Sequence, residues 1–180
     1  MTRYALLAML LYSLPTIGYE HEYDVLGGHY RAMPLELDCV SCQVKVSYRI
    51  KEVHNNLQWA PSFGLVLYPE DKTIYFKVGE SYTYSELVPF TMEFRFCIHL
   101  DAGNGQERQC DFLGSSIDED MSFVVSWGEN NLIRVEAEGL GEIFAYQLWF
   151  TPKKADFMVS GLGMDFTVKV QDDGRSETDR

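Results

Sequence analysis

The chain has 180 residues and a formal net charge of −12 at pH 7, and 46% of its residues are hydrophobic. That length suits a single domain of about 100–200 residues. A chain this acidic repels phosphate backbones and anionic lipid headgroups, which disfavours nucleic acid and the membrane surface as partners.

The first residues have the layout of a secretory signal peptide, predicted over 1–18. Arg3 supplies a basic start, residues 5–14 (ALLAMLLYSL) form an apolar core, and Gly18 is a small residue at the expected cleavage point. The apolar core is about ten residues long, whereas a membrane-spanning helix needs about 20. We therefore predict a secreted, extracellular protein with no membrane insertion.

Four cysteines, an even number, indicate two disulfides in an oxidising compartment. Three pairings are open, and strand parity favours Cys97–Cys110 together with Cys39–Cys42. A zinc site is disfavoured because Cys97 and Cys110 lie too far apart for a zinc ribbon or finger. A redox motif is disfavoured because nothing helical follows Cys42.

Apolar and polar residues alternate through most of the mature chain, which is typical of half-buried β-strands. Turn-forming clusters such as Tyr68-Pro69-Glu70-Asp71 separate these runs, and helical periodicity is nearly absent. The pattern predicts an all-β protein, an antiparallel β-sandwich over residues 38–170, between an N-terminal arm (19–37) and a disordered tail (171–180). The side chains predicted to face its interior include Val44, Val46, Tyr48, Ile50, Ile74, Phe76, Val78, Met92, Phe94, Phe96, Ile98, Leu100, Phe123, Val125, Trp127, Ile133, Val135, Ala137, Phe144, Tyr146, Leu148, Phe150, Phe166, Val168 and Val170.

The C-terminal third carries a recognisable order of motifs. An aromatic-rich strand ends at Trp127, an Ile-x-Val strand follows, then an aromatic strand around Phe144, and finally Gly161-Leu162-Gly163. This order resembles the domain named after farnesoic acid O-methyltransferase, over roughly residues 38–170. The strand pattern is also similar to that of jelly-roll sandwiches of the galectin type, an analogy of fold that transfers no chemistry.

The family name implies methyl transfer, but the residues show no cofactor site for it. A methyl donor such as S-adenosylmethionine is commonly held where a strand, a Gly-rich turn and a helix meet. Here the three Gly-x-Gly pairs, which begin at Gly103, Gly139 and Gly161, lie between predicted strands, and this position indicates tight turns or bulges. We predict no cofactor, no catalytic residue and no metal site, and we favour a non-enzymatic role over an enzyme or an accessory protein of isoprenoid O-methylation.

Aromatic residues give the best indication of function. Trp127, Glu129, Asn130 and Arg134 combine a ring with polar anchors, as a sugar-binding surface does, and Trp149 has the parity of an outward residue. The competing interpretation is that Trp127 closes the core while the residues after it form a hairpin turn. These five residues are the predicted ligand-binding set, with a glycan or an extracellular protein as the expected partner. A protein-interaction module that pairs through an edge strand is a further alternative.

Overall fold

The computed structural model describes residues 17–54, 59–84, 92–101 and 106–172. These residues form twelve β-strands and no helix, so the predicted all-β class is confirmed. None of the described residues belongs to a helix long and apolar enough to cross a membrane. The strands in the first half of the chain are β1 (Ile17–Asp24), β2 (Tyr30–Leu35), β3 (Cys42–Val53), β4 (Ser62–Tyr68), β5 (Tyr75–Tyr84) and β6 (Met92–Asp101). Those in the second half are β7 (Gln106–Leu113), β8 (Asp120–Trp127), β9 (Leu132–Ala137), β10 (Gly141–Gln147), β11 (Lys154–Ser160) and β12 (Leu162–Asp172).

The strands pair into two six-stranded antiparallel sheets. The first sheet has the order β1-β12-β3-β8-β9-β10, and the second has the order β2-β11-β4-β5-β6-β7. Strands β4 to β7 follow one another in the chain and in space, as do β8 to β10. The chain crosses between the sheets at the other connections. This arrangement confirms the predicted antiparallel sandwich.

One continuous core lies between the inner faces of the sheets. Val44, Val46 and Ile50 of β3 are fully buried against Phe63, Leu65 and Phe157 of the second sheet. The inward side chains predicted from alternation are buried, with the exceptions of Ile74 and Tyr146, which pack partly buried against the core. Met92 was also assigned to this face, but its side chain lies outside the described residues.

The prediction of an N-terminal arm over residues 19–37 is wrong, because two strands in this region belong to the sandwich. Strand β1 pairs with β12 from Ile17↔Val170 to Asp24↔Gly163, and β2 pairs with β11. Met33 and Leu35 of β2 are buried in the core. The segments 20–22 (EHE) and 30–32 (YRA) resemble a solvent-exposed arm in sequence. Each belongs instead to an edge strand, which can keep one face exposed to solvent. Residues 1–16 and 173–180 lie outside the described part, and β12 extends to Asp172 within the predicted tail.

Both disulfides have the predicted pairing, Cys39–Cys42 and Cys97–Cys110. Cys97 and Cys110 are direct partners in the β6–β7 ladder, with their Cα atoms 4.1 Å apart. The first disulfide links residues three apart at the start of β3, and the second spans 13 residues. The second therefore restricts the unfolded chain more strongly than the first.

Removing the second disulfide should lower the stability of the protein measurably. The entropy of the closed loop gives a loss of about 3 kcal/mol for Cys97→Ala with Cys110→Ala, against about 2 kcal/mol for Cys39→Ala with Cys42→Ala. Urea unfolding of the two double variants beside the parent protein measures both losses. A larger loss from the Cys39–Cys42 pair would contradict this ranking.

Candidate functional site

The β8–β9 hairpin carries most of the predicted ligand-binding residues. Strands β8 and β9 pair from Phe123↔Ala137 to Trp127↔Ile133. The N–H of Asn131 donates to the carbonyl oxygen of Gly128 at 2.9 Å, and Asn131 adopts a left-handed backbone with φ of 55°. The side chain of Asn130 accepts a hydrogen bond from the N–H of Leu132 at 3.1 Å. These bonds make residues 128–131 a tight hairpin turn, as predicted.

Four of the five predicted residues line one groove beside this hairpin, which we call the β8–β9 groove. It has a volume of about 730 Å³ and is bounded by β8, β9, the start of β3 and the end of β12. Its lining residues are Asp38, Val40, Ser41, Gln43, Ser126, Trp127, Gly128, Glu129, Asn130, Leu132, Arg134, Glu136 and Asp172. Trp149, the fifth predicted residue, is not among them.

The β8–β9 groove offers little surface for a ring contact and has an acidic lining. The ring of Trp127 is 3% exposed and packs in the core, as the competing interpretation of this residue stated. Arg134 is held in an ion pair with Glu142. Asp38, Glu129, Glu136 and Asp172 give the lining an excess of negative charge.

Trp149 has the outward orientation that its parity predicted. It lies in the connection between β10 and β11, is 54% exposed, and meets the ring of Phe150 edge-on. The neighbouring N–H of Leu148 donates to the carbonyl oxygen of Asn131 at 3.1 Å, which ties this connection to the β8–β9 turn. Trp149 is thus an exposed ring outside the groove that holds the other four residues.

A second groove lies on the outer face of the second sheet, and we call it the Trp59 groove. Its volume is about 280 Å³, and its lining residues are Trp59, Ala60, Ser62, Lys77, Gly79, Glu80, Ser81, Cys97, His99 and Arg108. On β5, Lys77, Gly79 and Ser81 point outward because Phe76, Val78 and Glu80 point into the core. Trp59, which precedes β4, is 54% exposed. The groove therefore places an exposed indole ring beside a row of polar side chains.

The register of the sheet aligns these polar side chains across three strands. Lys77 of β5 lies opposite His99 of β6, which lies opposite Arg108 of β7. Two residue pairs away, on the same face, Gly79 lies opposite Cys97, and Cys97 is bonded to Cys110. The guanidinium of Arg108 lies 3.7 Å from the sulfur of Cys97, so it extends over the disulfide. The disulfide fixes the spacing of the two strands that carry His99 and Arg108.

Two glycines face each other between β4 and β5, and one of them, Gly79, lines the Trp59 groove. Gly64 of β4 lies directly opposite Gly79 of β5. A Cβ atom on Gly79 would lie 2.1 Å from the carbonyl oxygen of Phe63, and one on Gly64 would lie 2.4 Å from that of Val78. No side chain fits at either position without moving a strand, so Gly79 contributes only backbone to the groove.

Among the described residues, no carboxylate forms an ion pair with Lys77 or Arg108 of the Trp59 groove. Lys77 is half-buried and its ammonium group donates to the hydroxyl of Ser62 at 3.0 Å. Burial, with a smaller contribution from the positive charge of Arg108, lowers the pKa of Lys77 to about 8. Glu80 is the one acid among the described lining residues, and its carboxylate faces the core, bonded to Tyr48 and Ser115.

A third groove, of about 630 Å³, lies on the outer face of the first sheet around His21, Arg49 and Lys51. Its cations are already paired: Arg49 with Asp120, and Lys51 with both Glu22 and Asp165 at 2.8 Å. The described residues contain no group of three or more His, Cys, Asp or Glu side chains placed to hold a metal ion.

Sequence reasoning missed Lys77, Arg108 and Trp59 as parts of one site. In the structure His99 lies on β6 opposite Lys77, on the outward face of the strand. The available signal was the parity of Lys77 and His99, both outward on strands joined in sequence. Lys77, His99 and Arg108 lie beside Trp59 only because β4, β5, β6 and β7 are neighbours in this order in the sheet. Strand order cannot be read from a single sequence.

The chain matches no protein-family model and no curated protein sequence. Among solved structures it is similar to galectin LEC-6 of Caenorhabditis elegans, with a TM-score of 0.50 and 9% identity, over 83% of this chain and 95% of that one. It is also similar to a variant of human galectin-16, with a TM-score of 0.51 and 14% identity, over 79% of this chain and 94% of that one. The chain has a galectin-like fold. At these identities the likeness concerns the fold alone, and the resemblance to the farnesoic acid O-methyltransferase domain stays a prediction.

Proposed function

We propose that this protein is a secreted, non-enzymatic glycan-binding module and that it binds sugar in the Trp59 groove. The observation that carries the proposal is the exposed ring of Trp59 beside hydrogen-bonding groups in one groove. A sugar ring has an apolar face that packs on an indole and hydroxyl groups that need donors and acceptors. Binding sites of this kind combine apolar surface with a few well-placed polar groups.

The polar groups of the Trp59 groove suit hydroxyl recognition. The ammonium of Lys77 and the guanidinium of Arg108 donate hydrogen bonds, and the hydroxyls of Ser62 and Ser81 both donate and accept. Strands β4 to β7 hold most of these groups, so their positions are set by the sheet ladder rather than by loops. Gly79 has no side chain and contributes only backbone to the lining of the groove.

The β8–β9 groove is less suited to sugar, although it contains Trp127, Glu129, Asn130 and Arg134. The ring of Trp127 is buried and has no face free for stacking. The charge of Arg134 is offset by its ion pair with Glu142, and the other charged lining residues are acidic. We therefore place the ligand on the outer face of the second sheet.

Secretion is part of the proposal. Two disulfides are consistent with an oxidising compartment, where such bonds form and persist. The predicted signal peptide over residues 1–18 agrees with that environment.

Trp59→Ala should abolish or strongly weaken glycan binding while leaving thermal stability nearly unchanged. Loss of the stacking ring removes apolar contact, and we expect affinity to fall by about tenfold or more. Trp149→Ala is a matched control, because Trp149 has the same 54% exposure and lies outside the groove. A glycan array finds the ligand, and titration calorimetry with the best ligand measures the two variants.

Three outcomes would count against the proposal. An array without a binding glycan would contradict the function itself. Retained binding in Trp59→Ala with loss in Trp149→Ala would place the site at the β10–β11 connection. Robust methyl transfer from S-adenosylmethionine to farnesoic acid would contradict a purely binding role.

A further inference from the structure

The Trp59 groove carries positive charge in a strongly acidic protein. The chain has a net charge of −12, yet Lys77 and Arg108 project into the same groove. Lys77 and Arg108 lie in one row across the sheet, separated by His99 on the strand between them. Two strand spacings put their backbones about 10 Å apart, a gap that two long side chains can close around a small anion.

These two cations differ from six others that are neutralised by ion pairs. Arg49, Lys51, Lys72, Arg95, Arg134 and Lys154 each have a carboxylate partner. Neither Lys77 nor Arg108 forms an ion pair with any carboxylate of the described residues. Arg31, Lys45, Lys153 and Lys169 also have no ion pair among the described residues, but unlike Lys77 and Arg108 they line none of the three grooves described above. The nearest acid in the lining, Glu80, has its carboxylate bonded on the core side of the sheet.

Holding two like charges in a partly desolvated groove is unfavourable. The lowered pKa of Lys77 records that cost, which comes first from burial and then from Arg108. An anion placed between the two side chains would offset both effects. A guanidinium binds carboxylate or sulfate through charge-assisted hydrogen bonds, and an ammonium adds a point charge.

We propose that the ligand of the Trp59 groove is an anionic saccharide whose carboxylate or sulfate group binds between Lys77 and Arg108. The inference rests on the proposed function, because it adds a charge requirement to the sugar contact made by Trp59. Carboxylate and sulfate share the chemistry that the two cations recognise, and the experiment below separates them.

The test uses two pairs of probes that share a sugar backbone and differ in charge. Tetragalacturonic acid is compared with its methyl ester, and 3′-sulfolactose with lactose, by titration calorimetry at about 0.15 M ionic strength. We expect the charged member of at least one pair to bind about tenfold tighter or more. The pair that shows the difference identifies carboxylate or sulfate as the recognised group.

Substitution of the two cations then tests their role. Lys77→Gln with Arg108→Gln should bring the charged and neutral members of that pair to nearly equal affinity. Lys45→Gln with Lys169→Gln is a matched control, since these lysines are exposed cross-strand partners on the first sheet and their loss changes the net charge equally. This control should retain the preference for the charged member.

The outcomes separate this inference from the proposed function. Equal binding of charged and neutral members would overturn the inference and leave glycan binding intact. An absence of binding to these probes and to the array would contradict both. Unspecific attraction would overturn the inference. It would be indicated if charged probes bound Trp59→Ala as tightly as the parent and lost affinity equally in the Lys77→Gln, Arg108→Gln variant and in the Lys45→Gln, Lys169→Gln control.

Discussion

Trp127→Ala should lower the free energy of unfolding by about 3–5 kcal/mol. The indole is 3% exposed and packs in the main core, so its removal leaves a large cavity between the sheets. Its N–H has no hydrogen-bond partner in the described part of the structure, so the loss comes from packing rather than from a broken polar contact. Urea unfolding followed by far-UV circular dichroism measures the change.

The control for this experiment is Trp149→Ala. Trp149 is 54% exposed, and we expect its truncation to change stability by no more than about 0.5 kcal/mol. Comparable losses in the two variants would show that the orientation of one of these rings is wrong. A small loss at Trp127 would also remove the argument that its ring is unavailable to a ligand.

Glu80→Ala should have an effect of similar size for a different reason. The Glu80 carboxylate is 1% exposed and accepts hydrogen bonds from the Tyr48 hydroxyl, the Ser115 N–H at 3.0 Å and the Ser115 hydroxyl at 2.8 Å. It joins both sheets, because Tyr48 lies on β3 and Glu80 on β5. Truncation leaves these buried donors without an acceptor, at a cost of about 3–5 kcal/mol. Glu136→Ala, at an exposed position of β9, is the control and should change stability by at most about 0.5 kcal/mol.

The Glu80 carboxyl group should also make the free energy of unfolding depend on pH, and the Glu80→Gln variant measures this contribution. Burial raises the pKa of Glu80 above its ordinary value of 4.5, although its hydrogen bonds oppose the shift. The folded protein therefore holds this proton more tightly than the unfolded chain. The stability that Glu80 contributes is complete below about pH 4.5 and is lost as the pH rises through the raised pKa.

Glu80→Gln keeps the shape of the side chain but removes this titration. Relative to the parent protein, its free energy of unfolding should increase as the pH rises above 4.5. Denaturant unfolding of both proteins over a series of pH values gives this difference, and the other acids cancel in the comparison. A difference that stays constant or decreases with pH would contradict the assigned burial of the carboxyl group.

Most of the sandwich could be predicted from alternation alone. Strands β3, β6, β8, β9 and β12 each have one buried and one wet face, so their inward residues were assigned correctly. Strand β4 was harder, because its outward positions include Gly64 and the buried Val66, which interrupt the polar half of the pattern. Strands β1 and β2 were taken for an arm because their outward faces are polar and their neighbours, β12 and β11, come from the far end of the chain.

The candidate site was less accessible to sequence reasoning. Trp127 was correctly predicted as buried and Trp149 as exposed. Both predictions used only the alternation of inward and outward side chains along a short stretch of chain. The Trp59 groove depends on the order β4-β5-β6-β7 and on the register that aligns Lys77 with His99 and Arg108. Such pairing is long-range information, and alternation along each strand does not contain it.

The three tryptophans allow a direct test of the central claim, which is that ligand binds on the outer face of the second sheet beside Trp59. Each indole N–H gives a separate NMR signal. The signal of Trp59 reports on the Trp59 groove, that of Trp127 on the core beside the β8–β9 groove, and that of Trp149 on the β10–β11 connection. Titration of ¹⁵N-labelled protein with the best-binding glycan, with signals assigned from single-tryptophan variants, should shift the Trp59 signal and leave those of Trp127 and Trp149 in place. A shift confined to Trp127 would contradict this claim and place the ligand at the β8–β9 hairpin. A shift confined to Trp149 would contradict it and place the ligand at the β10–β11 connection.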